Sequence, residues 1–150
     1  MDRSGQLTVT VAVLTRRRPR MLEALIRSFA KLEPATECGA RFLVVENDET
    51  PQTRDLVLGL ATELGMEALD YVHEPELGIP FGRNRAAREA IKAGHELLAF
   101  VDDDEVVDPS WLRNIIAGYR ASDAVLLGAP LRIVETTGDL TWLQRRMHDC

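Results

Sequence analysis

The chain has 150 residues and a mass of 16.8 kDa, which is the size of one ordinary domain. Hydrophobic residues make up 45% of the chain and charged residues 28%, which excludes a disordered or fibrous protein. The formal net charge of −6 argues against a nucleic-acid partner, because such partners require a basic surface.

The first half of the chain alternates short β-rich runs with amphipathic helical patterns. Thr8 to Thr15 is predicted to be a strand that is apolar on both faces, as in a parallel sheet covered by helices on each side. Pro19 suits the first turn of a helix. A second strand is predicted at Arg41 to Glu46, and after a polar loop Pro51 is predicted to open the second helix.

The second half continues the same alternation. A third strand is predicted at Ala68 to Val72, a loop at His73 to Gly82, and then a helix that ends at Gly94. A fourth strand at Leu97 to Val101 precedes a helix whose cap and first turn are Asp108 to Ser110.

A fifth strand, Ala124 to Val134, completes the pattern. Strands that alternate with helices in this way predict a three-layer α/β fold with a mostly parallel sheet. Ligands of such sheets bind at the carboxyl ends of the strands. The polar residues at those ends are Thr15 with Arg16 to Arg18, then Glu46, Asn47 and Asp48, and finally Asp102 to Glu105.

Four consecutive carboxylates, Asp102 to Glu105, follow the fourth strand. If the segment is extended, Asp102 and Asp104 lie on the same side about 7 Å apart. Their repulsion would then be of order 2 kcal/mol at an effective dielectric constant near 20. A cation would turn this repulsion into binding, and oxygen ligands suit Mg²⁺ or Mn²⁺. A solvated charge run or a helix cap is the alternative interpretation.

Four segments resemble the inverting family 2 glycosyltransferases, which have the GT-A fold. They are Val9 to Pro19, Phe42 to Glu49, His73 to Ala86 and Phe100 to Leu112. Within that family, the chain resembles bacterial exopolysaccharide glucosyltransferases of the succinoglycan type. The resemblance implies a Rossmann-like nucleotide-binding half and metal-dependent transfer of a sugar, with inversion, from a nucleoside-diphosphate sugar. A UDP-hexose as donor, a glycan or lipid-linked acceptor, and a role in polysaccharide biosynthesis are also implied.

The resemblance assigns roles to the residues at the strand ends, although the family more often has Asp where Glu46 stands. Thr15, Glu46, Asn47 and Asp48 would receive the base of the nucleotide. Arg83 would approach the phosphates, and Asp102 and Asp103 the ribose. Arg18 belongs to a cluster with Arg16, Arg17 and Arg20, which either faces the phosphates of the nucleotide or is a solvated helix start with one or two functional members. Asp104 would hold the metal together with Asp102, as a DXD motif.

The general base that inversion requires is implied to lie in an acceptor-binding half, downstream of the fifth strand. Glu135 and Asp139 are the only carboxylates close enough in sequence to propose, Asp149 is terminal, and no feature of the sequence singles out any of the three. The chain is therefore expected to be the nucleotide-sugar-binding part of a longer enzyme, ending before the acceptor-binding half, and it can lack activity alone.

Two other functions fit part of the sequence. The segment Phe42 to Tyr71 reads like the first βαβ unit of a signalling receiver domain, with Glu46 and Asp48 as its acidic pocket. The phosphoacceptor would then lie in Asp102 to Asp104, but no lysine follows Lys92 to serve on the last strand. The other alternative is a nucleotide-binding fragment without turnover.

The location of the protein is predicted from the cysteines and the first residues. Only Cys38 and Cys150 are cysteines, and Met1 to Gln6 has no apolar core of a signal peptide. These features predict a cytoplasmic protein. A lipid-linked acceptor, as the resemblance implies, would add peripheral association with the cytoplasmic face of the inner membrane.

Overall fold

The computed structural model describes residues 6–35 and 38–131, and no helix in these ranges is long and apolar enough to span a membrane. Strands and helices alternate along these residues, four of each. Their bounds are β1 Leu7–Thr15, α1 Pro19–Phe29, β2 Cys38–Glu46, α2 Arg54–Leu64, β3 Leu69–His73, α3 Ile79–Lys92, β4 Leu97–Asp102 and α4 Trp111–Ala121.

The four strands form one parallel sheet in the order β3-β2-β1-β4. At the carboxyl end of the central strand β1, Thr15 pairs with Glu46 of β2, and Leu14 pairs with Asp102 of β4. Glu46 in turn pairs with His73 at the end of β3. The sheet therefore brings the ends of all four strands, with the polar loops that follow them, to one edge.

Helices cover both faces of the sheet, as the apolar character of β1 predicts. Val9, Val11 and Val13 face one side, where they pack with buried residues of α1, α2 and α4. Ala12 faces the other side, where Ala86 of α3 covers it. The three-layer α/β architecture is thus confirmed.

Three helices begin at other residues than predicted. Helix α4 starts at Trp111, after the predicted first turn at Asp108 to Ser110, which forms a separate turn in which the N–H of Ser110 donates to the Asp108 carboxylate. Helix α2 starts at Arg54 rather than Pro51, because the carboxylate of Glu46 binds the backbone N–H groups of Gln52 and Thr53 and keeps them in the loop. Helix α3 starts at Ile79, inside the predicted loop, because Pro80 is compatible with a first helical turn.

The fifth predicted strand is not formed in the described part of Ala124 to Val134. Residues 124–131 pair with none of the four strands, and residues 132–134 lie outside the described residues. Val125 is 99% exposed and Leu126 88% exposed. A β-rich composition produces a strand only where a neighbouring strand supplies hydrogen bonds and a surface to pack against.

Gly82 lies within α3, although it was predicted to be part of a loop. A Cβ atom at Gly82 would lie 2.8 Å from Cδ2 of Leu14 and 3.6 Å from Cβ of Asn47. The glycine is needed for close packing of α3 on the ends of β1 and β2. It thereby brings the first turns of α3 to the carboxyl edge of the sheet.

Replacement of Gly82 should therefore disturb the packing near this edge. We expect Gly82→Ala to be less stable than the matched helical variant Gly59→Ala by about 1–2 kcal/mol. Gly59 has open space around its Cα, so alanine there only improves helix propensity. Urea unfolding of both variants measures the difference, and equal stabilities would contradict the packing role of Gly82.

Candidate functional site

The loops after β1, β2 and β4 meet at the carboxyl edge of the sheet. Residues 16–18, here called the arginine loop, follow β1. Residues 102–105, here called the acidic turn, end β4 and follow it. The register of the strands places both segments beside the end of β2, where Glu46, Asn47 and Asp48 lie. The structure thus brings together the three polar groups that the sequence predicted at this edge.

Asp103 connects β4 with β1. Its Oδ2 atom accepts a hydrogen bond of 2.8 Å from the hydroxyl of Thr15, and its Oδ1 atom accepts one of 2.9 Å from Nη1 of Arg18. The residue is only 6% exposed. Both oxygen atoms of this buried carboxylate are therefore held by the end of β1 and the arginine loop.

Arg18 also contacts the next carboxylate in the acidic turn. Its Nη1 atom lies 3.2 Å from Oδ2 of Asp104, and both side chains are about half exposed. The hydrogen bond to Asp103 and the charges of Asp103 and Asp104 raise the pKa of Arg18. The arginine is thus a fixed positive charge between a buried and an exposed carboxylate.

Asp48 is fully buried at the end of β2 and is neutralised by the other arginines of the loop. Arg17 donates from Nε to Oδ2 at 2.6 Å and from Nη2 to Oδ1 at 3.2 Å, and Nε of Arg16 lies 3.6 Å from Oδ1. The hydrogen bond from Arg17 lowers the pKa of Asp48 more than burial raises it. The pair has the two-pronged geometry that arginine favours with carboxylates.

The arginine loop owes its shape to this pair. Arg17 has a φ of +56°, in the left-handed region that is rare for residues with a side chain. Such a conformation costs of order 1 kcal/mol and requires compensating contacts. The two hydrogen bonds from Arg17 to the Asp48 carboxylate supply these contacts. The sequence shows only a run of arginines at this point, so it could not reveal which of them pairs with which carboxylate.

Glu46 organises the start of the following loop from within the protein. Its carboxylate accepts hydrogen bonds from the Tyr71 hydroxyl and from the backbone N–H groups of Gln52 and Thr53. Burial raises the pKa of Glu46, but these hydrogen bonds outweigh it, and the net pKa is lowered. Burial and the neighbouring Glu46 carboxylate raise the pKa of Tyr71.

Asn47 fixes the loop between β3 and α3. Its Nδ2 atom donates to the carbonyl oxygens of Glu74 and Glu76 at 3.0 and 2.6 Å, and its Oδ1 atom accepts from the N–H of Gly78 at 2.9 Å. The loop therefore enters α3 in a defined direction. The amide side chain that the resemblance assigns to the nucleotide base makes three hydrogen bonds within the chain itself.

Arg83 lies on the other side of the acidic turn. Its guanidinium carbon is 5.4 Å from the centre of the Phe100 ring, a cation–π contact. Phe100 and Asp102 lie on the same face of β4, because side chains two residues apart in a strand point the same way. The contact with Phe100 thereby holds the Arg83 guanidinium near the carboxyl edge.

The acidic turn is not extended, so the conformation assumed for Asp102 to Glu105 is wrong. The chain reverses there, since the N–H of Glu105 donates to the carbonyl of Asp102 and the N–H of Asp102 donates to the Glu105 carboxylate. Asp102 and Asp104 are exposed, whereas Asp103 is buried. Burial and the charges of Asp102 and Asp104 raise the pKa of Glu105.

The acidic turn offers ligands that fit a divalent cation only with help from a substrate. Within residues 6–35 and 38–131, no group of three or more His, Cys, Asp or Glu side chains is arranged to hold a metal ion. Asp102 and Asp104 present exposed carboxylates. Mg²⁺ and ions like it are commonly bound by one or two carboxylates together with water and substrate phosphates, so these residues fit such an ion.

Three carboxylates considered for the general base, Glu135, Asp139 and Asp149, lie outside the described residues. The base in a downstream half therefore stays a prediction.

The predicted site residues fall into two groups in the structure. One group is buried and hydrogen-bonded within the chain, and the other is exposed. The buried group is Thr15, Glu46, Asn47, Asp48 and Asp103, and the exposed group is Arg18, Arg83, Asp102 and Asp104.

The buried carboxylate of Glu46 should make stability depend on pH. Because its pKa is lowered from the ordinary 4.5 on folding, its contribution is complete above pH 4.5 and is lost as the pH falls through the folded value. We expect the free energy of unfolding to decrease from pH 5 to pH 3. Glu46→Gln should reduce this dependence and cost about 1–3 kcal/mol at pH 7, since buried N–H donors lose an acceptor.

Urea unfolding between pH 3 and pH 7 measures both effects. The exposed Glu67→Gln variant is the control, and it should follow the parent chain. An unchanged pH dependence in Glu46→Gln would show that this carboxylate does not stabilise the loop.

In a parallel three-layer α/β fold, the carboxyl edge of the sheet, where these arginines and carboxylates lie, is the place where ligands bind. Residues 10–149 match the family described as Glycosyl transferase family 2, and the chain belongs to this family. This match confirms the predicted family and decides against the receiver domain.

One relative is the succinoglycan biosynthesis protein ExoM of Rhizobium meliloti (strain 1021). It is 35% identical over 126 residues, which are 84% of this chain and 39% of ExoM. The chain therefore spans about two fifths of the length of this relative. The predicted resemblance to succinoglycan-type proteins is confirmed by this similarity.

Solved structures show the same fold. S. aureus TarS 1–349 is 25% identical with a TM-score of 0.62, over 92% of this chain and 43% of TarS. The mannosyltransferase PcManGT of Pyrobaculum calidifontis, solved with GDP-Man and Mn²⁺, is 24% identical with a TM-score of 0.64, over 77% of this chain and 33% of PcManGT. The GT-A fold expected from the resemblance is confirmed.

Proposed function

We propose that this chain is the donor-binding part of a glycosyltransferase that moves a sugar from a nucleoside-diphosphate sugar to a glycan or lipid-linked acceptor. The observation that carries the proposal is the meeting of exposed Arg18, Asp102 and Asp104 at the carboxyl edge, in a chain of glycosyltransferase family 2. Relatives of the same fold were solved with nucleotide sugars, GDP-Man in PcManGT and UDP-GlcNAc in TarS.

The buried residues support donor binding indirectly. Thr15, Asp48 and Asp103 hold the arginine loop, and Asn47 holds the loop that leads into α3. These contacts fix the backbone of both loops before the donor arrives, which lowers the entropic cost of binding. We assign the base of the nucleotide to the region between these two loops, and a UDP-sugar is the donor we favour.

The exposed residues would stabilise the diphosphate as it leaves the sugar. Asp104 and Asp102 would hold a divalent cation, Mg²⁺ or Mn²⁺, which when bound stabilises negative charge on the departing diphosphate. Arg18 and Arg83 would donate hydrogen bonds to the same phosphates, and their positive charge opposes the charge that develops there. Preorganised donors of this type favour cleavage of the bond between sugar and diphosphate.

Transfer with inversion would be a single in-line displacement by an acceptor hydroxyl, and a general base would remove its proton. We place that base, with the acceptor, in the part of the enzyme that follows the donor-binding part. Similarity to ExoM supports a role in exopolysaccharide biosynthesis. A lipid-linked acceptor would be met at the cytoplasmic face of the membrane, where we propose the enzyme acts.

Binding of UDP and GDP to the chain, with and without Mn²⁺, tests the proposal. We expect one of the two nucleotides to bind at least tenfold more tightly when Mn²⁺ is present. Asp104→Asn should remove most of that gain, because it removes a charged metal ligand. Isothermal titration calorimetry measures the affinities.

Asp70→Asn is the matched control, because Asp70 is also about half exposed and ion-paired, with Arg41, but lies on β3 away from the acidic turn. It should bind nucleotide and Mn²⁺ like the parent chain. Equal nucleotide affinity with and without Mn²⁺ would contradict metal-dependent donor binding, and an unaffected Asp104→Asn variant would contradict the assigned ligand.

Nucleotide binding without turnover is the second candidate. The chain spans about two fifths of ExoM, and this observation favours a part that binds the donor and depends on further residues for transfer. Incubation with a radiolabelled UDP-sugar and a lipid-linked glycan acceptor, in parallel with the binding assay, tests this candidate, since labelled glycan formed by the chain would contradict binding without turnover.

A further inference from the structure

We propose that Arg18 is the counter-cation of the acidic turn in the chain by itself. When the donor binds with its divalent cation, the Arg18 side chain leaves Asp104 and binds the diphosphate. In the chain by itself, Arg18 neutralises the carboxylate that is the proposed metal ligand. This inference rests on the proposed function, because it concerns the same donor site.

The position of Arg18 is the first argument. One nitrogen, Nη1, lies 2.9 Å from Asp103 and 3.2 Å from Asp104, so a single positive charge bridges two adjacent carboxylates. A divalent cation held by Asp104 would add positive charge beside Arg18, whose only contact with that carboxylate is through Oδ2. The repulsion between the two cations would weaken the ion pair of Arg18 with Asp104 and favour its release.

The two contacts of Arg18 differ in a way that permits this exchange. Asp103 is buried, and its other oxygen is held by Thr15, so the carboxylate side of its contact with Arg18 is shielded from water. The Asp104 side chain is 51% exposed, and exposed ion pairs contribute little to stability. Arg18 can therefore keep its hydrogen bond to Asp103 and lose its contact with Asp104 with little loss of stability.

The backbone near Arg18 does not have to move for the exchange. Arg17, the preceding residue, is held in its left-handed conformation by the fork on buried Asp48. The loop is thereby pinned on the β2 side, and only the Arg18 side chain changes partners. A guanidinium has five N–H donors and one nitrogen is bound to the carboxylates, so the remaining donors are available for phosphate oxygens.

The exchange predicts opposite effects of one substitution on two ligands. Arg18→Ala should bind Mn²⁺ alone about threefold more tightly than the parent chain, because a competing cation is removed. The same variant should bind UDP or GDP in the presence of saturating Mn²⁺ about tenfold more weakly, because a charged hydrogen-bond donor to the diphosphate is lost.

Electron paramagnetic resonance of free Mn²⁺ measures the first affinity, and calorimetry with UDP and GDP measures the second. Arg18→Lys keeps the charge without the fork, so it should bind Mn²⁺ like the parent chain and the nucleotide more weakly. Arg113→Ala is the matched control, since Arg113, on α4, forms a similarly exposed ion pair with Glu33, and it should change neither affinity.

Each pattern of results has one meaning. Weaker binding of both ligands by Arg18→Ala would overturn the inference and make Arg18 a structural residue of the site. Tighter binding of both, or an unchanged nucleotide affinity, would overturn it as well, since Arg18 would then only compete with the metal. A parent chain that binds neither nucleotide with Mn²⁺ would refute the proposed function and this inference with it.

Discussion

Two buried carboxylates, Asp48 and Asp103, lie on either side of the end of β1, and each would destabilise the fold without a cationic partner. The arginine loop supplies both partners within three residues, Arg17 for Asp48 and Arg18 for Asp103. This compensation joins the ends of β2 and β4 across the central strand. The exposed groups of the site depend on it, because the same loop positions Arg18 beside Asp104.

The remaining polar residues at the edge act through the backbone. Glu46 holds the loop before α2, and Asn47 holds the loop before α3. Both side chains use their hydrogen-bonding atoms within the chain, which explains why they are buried although they belong to a candidate binding edge. In this family 2 glycosyltransferase chain, the buried polar residues thus hold the loops in shape, and the exposed polar residues are accessible to a ligand.

Much of the fold could be predicted because it depends on periodicity. The apolar run of β1 and the helical stripe from Leu22 to Phe29 indicated the sheet and its covering helix directly. The start of α2 could not be predicted, since it depends on a hydrogen bond that the N–H of Gln52 donates to Glu46, six positions earlier in the chain. Gly82 was misassigned to a loop because its role is to admit Leu14, which is distant in sequence.

The sequence by itself determined the order of strands and helices, the polar character of the carboxyl edge and the family, because each of these follows from local pattern and residue type. The tertiary structure alone decided which carboxylates are buried and which arginine neutralises each of them. It also showed that the acidic turn reverses instead of extending. The physical reason is that ion pairing and burial join residues 31 and 85 positions apart, and no local pattern encodes such distances.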